Sequence, residues 1–109
     1  MTSNIARVLD ALGDPTRRAV FERLRAGARS VNEIARGMEV SRPAVSQHLK
    51  VLKGAGLVAV RAEGTRRLYG VDNRGVEALR GWLDEFWDQA LVAFKEVAER
   101  EAVKERKPK

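Results

Sequence analysis

The chain has 109 residues, 44% apolar and 33% charged, enough for one folded domain with one core. It contains no cysteine, which excludes disulfides, thiolate metal sites and thiol redox switches. No apolar run approaches the roughly 18 residues of a membrane span, and no signal-peptide core opens the chain, so a cytoplasmic protein with no membrane partner is expected. The formal net charge of +6 is unevenly placed. Residues 1–81 hold 15 Lys/Arg against 8 Asp/Glu, whereas residues 82–109 hold 6 against 7. A localised basic surplus favours a polyanionic partner, although a generically basic soluble protein would share it.

Asn4 to Leu12 reads as a first helix, with Ile5, Val8, Leu9 and Leu12 on one face and Gly13 at its end. Asp14-Pro15 starts a second, with Asp14 as N-cap and Pro15 at the first helical position, where its missing N–H costs nothing. Ala19, Val20, Phe21 and Leu24 supply its core face, and Arg25-Ala26-Gly27 closes it.

Ser30 opens a third helix, and Glu33 three residues later makes a capping box. Val31, Ile34 and Ala35 point inward, and Gly37 allows a turn. Ser41 caps the fourth helix, whose first turn tolerates Pro43. At 100° per residue, Val45, Leu49 and Leu52 share one arc. Pro43, Ser46, Gln47 and Lys50 lie opposite, with Arg42 and Lys53 at the edge. Gly54 and Gly56 stop this helix.

Leu57–Val60 and Leu68–Val71 are β-type runs, with Gly64 supplying a hairpin turn between them. A hairpin placed directly after such a helix is a wing. Asp72 or Asn73 then caps a long helix reaching about Glu101, whose apolar positions Val76, Leu79, Leu83, Phe86, Ala90, Phe94 and Val97 alternate spacings of three and four. Trp82, Trp87 and Leu91 widen the stripe. Residues 1–103 are read as one DNA-binding and dimerisation domain, and Lys104–Lys109 as a basic disordered tail.

Three segments carry a family resemblance: Leu12-Gly13-Asp14-Pro15-Thr16-Arg17-Arg18, Ser41 through Leu52, and Gly64-Thr65-Arg66-Arg67-Leu68-Tyr69. In this order and spacing they resemble the ArsR family of bacterial winged helix-turn-helix repressors, from about residue 4 to residue 100, and the autorepressor-type branch rather than the metal sensors. The resemblance implies a mainly α fold of four helices, a β-hairpin wing and a fifth helix, dimeric through the first and last helices. It implies repression by occupying an operator on the bacterial nucleoid, with release when an inducer or condition changes the dimer; a partner protein or the state of the cell is the alternative release signal. The Cys-rich or His/Asp/Glu motifs of the metal sensors have no counterpart in a chain with no Cys and one His, so no metal and no cofactor are expected.

The DNA-facing candidates are Arg42, Pro43, Ser46, Gln47 and Lys50 on the fourth helix, Arg61, Arg66 and Arg67 on the wing, and Arg17. Arg suits guanine and Gln suits adenine, each in a bidentate pair, and Ser serves a base or a phosphate. The plainer reading of the helix face, ordinary solvated surface, would carry more Glu. Wing arginines can enter a minor groove or clamp phosphate, or simply protect a sheet edge. Arg17 serves a phosphate or plain helix surface. His48 reads as a tucked-in side chain bonded to a neighbouring helix or a phosphate.

The dimer candidates are Ile5, Val8, Leu9, Leu79, Trp82, Leu83, Phe86, Trp87, Ala90 and Phe94. An aromatic ligand pocket is the competing reading of the last helix. Two-fold symmetry then predicts a palindromic double-stranded DNA operator. An architectural DNA-binding protein and a winged-helix protein-interaction module are the alternatives. No nucleophile–base pair or phosphate loop points to an enzyme.

Overall fold

The computed structural model describes residues 2–105. Its elements follow the order α1 (Thr2–Gly13), α2 (Pro15–Glu22), α3 (Val31–Ala35), α4 (Arg42–Gly54), β1 (Val58–Glu63), β2 (Arg66–Val71) and α5 (Asn73–Glu105). The chain divides into two units after Leu79, inside α5.

In the first unit, Val8 and Ala11 of α1, Val20 and Leu24 of the α2 region, Ile34 of α3, Val45, Leu49 and Leu52 of α4, and Leu57 and Val58 form one buried cluster. Val8, Val20, Leu24, Ile34, Val45, Leu49 and Leu52 are inward positions that helical periodicity selects, and fully burying each Val, Leu or Ile contributes about 1.5–3 kcal/mol. Val8, expected at a subunit interface, is completely buried here and has no surface to offer a partner. Ile5 and Leu79 also pack against this core, though incompletely, whereas Leu9 stays exposed.

Local chemistry sets the helix ends. Asp14 accepts from the N–H groups of Thr16 at 2.8 Å and Arg17 at 3.1 Å, with Pro15 in the first turn. Ser30 and Glu33 make the reciprocal capping box that starts α3. Gly56 ends α4 at φ +77°, a left-handed conformation that a side chain would resist. Its N–H reaches Lys53 O and that of Leu57 reaches Leu52 O, the paired bonds of a Schellman motif. Leu57 is thereby delivered into the core just before β1.

The hairpin is longer than the sequence suggested. β1 and β2 pair antiparallel from Val58↔Val71 to Glu63↔Arg66, so only Gly64 and Thr65 make the turn. Gly64, at φ +64°, takes the first central position of this two-residue loop. Arg61 and Arg67, expected in the loop, therefore stand within strands. A further bridge joins Arg29 to Tyr69, with backbone bonds of 2.9 and 2.7 Å, and ties the wing to the residue before the α3 N-cap.

In the second unit α5 continues as helix. Trp82, Leu83, Phe86, Trp87, Leu91 and Phe94 are all exposed, and the Trp82 and Phe86 rings stack at 5.9 Å. The helix runs through Lys104 and Glu105, which the sequence assigned to a tail. The rest of that tail, 106–109, lies outside the described residues.

Charge shifts at the caps give these ends a pH signature. The N–H of Arg17 lowers the pKa of the Asp14 carboxyl, helped by the Thr16 N–H and by the positive charges of Arg17 and His48. A carboxylate held below its unfolded value supplies stability that is complete above about pH 4 and is lost as pH falls through the folded value. Asp14→Asn keeps a capping acceptor without the charge. Its thermal midpoint should therefore fall less than that of the parent between about pH 4 and pH 2. Matching acid limbs would show that the Asp14 charge does not matter.

Candidate nucleic-acid interface

The arrangement α3–turn–α4 packs one short helix against a longer one. α4 buries Val45, Leu49 and Leu52 and leaves Arg42, Pro43, Ser46, Gln47, Lys50 and Lys53 exposed. The exposed side thus combines cations, an amide and a hydroxyl without a carboxylate. An α-helix fits the major groove, and these side-chain types match base edges and phosphates. His48 is half-buried, close enough to Asp14 for its positive form to favour that carboxylate.

The wing contributes three exposed arginines with different surroundings. Arg61 lies 3.5 Å from Glu63, its neighbour on the same strand face. Arg66 Nη2 donates to Glu33 Oε1 of α3 at 2.9 Å. Arg67 points to the opposite face of β2 from Arg66, as strand alternation requires. An open notch of about 360 Å³ lies between wing and α3, lined by Ser30, Val31, Asn32, Thr65, Arg66 and Arg67.

Arg17 is placed differently from the sequence expectation. Its Nε donates to Ala11 O at 2.7 Å and its Nη2 to Asp10 O at 3.4 Å, and its side chain is only 16% exposed. Arg18 Nη1 donates to Leu12 O at 2.7 Å. Both guanidiniums satisfy carbonyls at the C-terminus of α1, where cations are favoured. Arg17 is therefore engaged within the protomer and not extended toward a phosphate.

Three side-chain contacts that the sequence did not reveal brace this region. Arg23 Nη1 donates to Arg36 O at 2.9 Å, fastening the turn after α3. Arg42 Nη1 donates to Asn32 Oδ1 at 3.0 Å. Glu33 was legible as a cap but not as the partner of Arg66. These contacts bridge residues 10 to 33 positions apart, and no local sequence signal encodes them.

Known proteins share this framework. The Helix-turn-helix domain family matches residues 12–61. The HTH-type transcriptional regulator Rv2034 of Mycobacterium tuberculosis is 54% identical over 95 residues, spanning 87% of this chain and 89% of the relative. The chain belongs to the ArsR family of winged helix-turn-helix transcriptional regulators. The transcriptional repressor SdpR of Bacillus subtilis is 29% identical, over 72% of this chain and 88% of its own length. Among solved structures, the homodimeric winged helix-turn-helix DNA-binding domain Mb0332 of Mycobacterium bovis superposes with a TM-score of 0.65 at 32% identity, covering 83% of each chain. DNA-binding regulation of transcription is the activity of this ArsR-family chain.

Proposed function

We propose that this ArsR-family chain is a homodimeric, metal-independent repressor that reads an inverted-repeat operator. The observation carrying this reading is the exposed side of α4, a helix without Asp or Glu, on which Arg42, Ser46, Gln47 and Lys50 are exposed. Dimerisation is supported by the apolar face of α5, exposed in the single chain, and by the homodimeric relative. Repression follows the sign of the similar repressor SdpR. Metal independence is supported by the donor set: the whole chain offers no Cys and one His.

In this reading each protomer lays α4 in a major groove and brings its wing to the flanking backbone. Equivalent points of the half-sites then lie about 34–36 Å apart, or a multiple of that distance. Pro43 shapes the first turn of α4 and brings an apolar surface close to a thymine methyl. Arg61 and Arg67 serve phosphates, and Arg66 reaches the backbone beside the notch.

The test is binding to the DNA upstream of the protein's own gene, by fluorescence anisotropy in chelator, with a scrambled duplex as control. Preferential binding of one dimer per site supports the proposal. Equal binding to both duplexes removes this site as the operator and favours an architectural role, while absence of binding to either sinks the reading. Gln47→Ala is expected to weaken binding to the upstream duplex by about 5–150-fold, the 1–3 kcal/mol of one bidentate base pair, and to leave the scrambled duplex nearly unaffected. Equal loss on both would remove Gln47 from base reading.

A further inference from the structure

Two adjacent residues of α3 each hold an arginine of a different DNA-facing element. Asn32 Oδ1 accepts from Arg42 Nη1 at the start of α4, at 3.0 Å, and Glu33 Oε1 accepts from Arg66 Nη2 beside the wing turn, at 2.9 Å. Exposed ion pairs ordinarily contribute about 0–1 kcal/mol to stability, so a plain surface contact is the competing account. Three features distinguish this one. The same Glu33 oxygen also accepts from Ser30 N at 2.8 Å, so the carboxylate is already fixed by the capping box before it meets Arg66. The Arg29–Tyr69 backbone bridge fixes the strand that carries Arg66 against the residue next to Ser30. Both arginines are exposed and still have guanidinium N–H groups unoccupied by these bonds.

We propose that Asn32 and Glu33 are positioning residues that pre-align Arg42 and Arg66 for DNA, trading indiscriminate attraction for fixed geometry. The proposal rests on the DNA-binding reading above. A guanidinium already held in one orientation loses less side-chain freedom when it meets DNA. A carboxylate at 2.9 Å also offsets part of the Arg66 charge, which would otherwise attract the phosphates of any sequence. Through these two adjacent residues α3 thereby links α4 to the wing.

Glu33→Gln separates this role from folding, because glutamine at the same helix position also completes a capping box. Its far-UV circular dichroism and thermal midpoint should stay close to those of the parent. On the scrambled duplex, log K against log salt should steepen by about one to two per dimer, as Arg66 becomes a full cation. Preference for the upstream duplex should fall by about three- to thirtyfold. Both changes should vanish when Arg66→Ala is the background. Asn32→Ala should weaken binding to the upstream duplex, and Arg42→Ala should leave nothing further for it to remove.

An unchanged slope in Glu33→Gln, or the same steepening without Arg66, overturns the proposal; the latter would mean that Glu33 merely repels phosphate. Equal losses from Asn32→Ala with and without Arg42 also overturn it. If the parent binds no duplex, the functional reading fails as well. If the parent binds and the α3 variants behave like it, only the positioning role fails.

Discussion

Gly75→Ala should lower the thermal midpoint by about 10 °C, although alanine is the better helix former. Gly75 lies in the first turn of α5, and its N–H donates to Gly56 O at 2.8 Å. A Cβ built there would sit 2.6 Å from Gly56 O, 2.8 Å from its carbonyl carbon and 3.0 Å from Leu57 Cδ2. Two of those atoms are backbone, held by the turn that ends α4, so no flexible side chain can move aside. Alanine gains about 1 kcal/mol of helix propensity over glycine. Overpacking costs about 1–3 kcal/mol and more where backbone must shift, so the clash wins. At about 4–8 °C per kcal/mol for a domain of this size, a net loss near 2 kcal/mol gives the stated shift. Thermal denaturation of parent and variant at equal protein concentration measures it. A midpoint equal to or above the parent's would show that α5 can move away from Gly56 without cost.

Gly75 also shows where the sequence stops being informative. Ser30 with Glu33, Asp14 with Pro15 and the two faces of α4 were legible because their signals lie within one helical turn. Capping chemistry and a 3.6-residue period need no knowledge of the rest of the fold. What a face packs against is a different question. Val8 and Leu9 are neighbours in the same apolar stretch, yet Val8 is fully buried in the protomer's core while Leu9 remains exposed. Periodicity identifies an apolar side but not whether its cover is the same chain or a second one. The sequence likewise placed Arg17, Arg42 and Arg66 together among the DNA-facing candidates. Long-range contacts divide them: Arg17 turns onto α1 carbonyls, whereas Arg42 and Arg66 are held outward by neighbouring residues of α3. The hairpin was underestimated because Arg61, Ala62, Arg66 and Arg67 lack the alternation of a half-buried strand; backbone pairing extends it without an apolar face there.

On the homodimeric reading proposed above, Leu83→Glu combined with Phe86→Glu should give a monomer at micromolar concentration and reduce affinity for the upstream duplex by about 10²–10⁴-fold. Leu83 is 47% exposed and Phe86 59% exposed in the single chain, alongside Trp82, Trp87, Leu91 and Phe94. An exposed apolar stripe of this kind marks an interaction surface. Burying each large side chain contributes about 1.5–3 kcal/mol, and a two-fold interface counts every residue twice. The substitutions place four carboxylates in that interface, where each would be desolvated beside like charges. The protomer core contains neither residue, so the helical circular dichroism of unit one should persist. In the proposed dimer, loss of pairing would remove the second α4 from the DNA, and with it the gain from binding two half-sites at once. Sedimentation equilibrium together with anisotropy on the upstream duplex distinguishes the outcomes. A variant that stays dimeric would place the subunit contact elsewhere on the chain, and a monomer with undiminished affinity would show that one α4 and one wing are sufficient to hold the site.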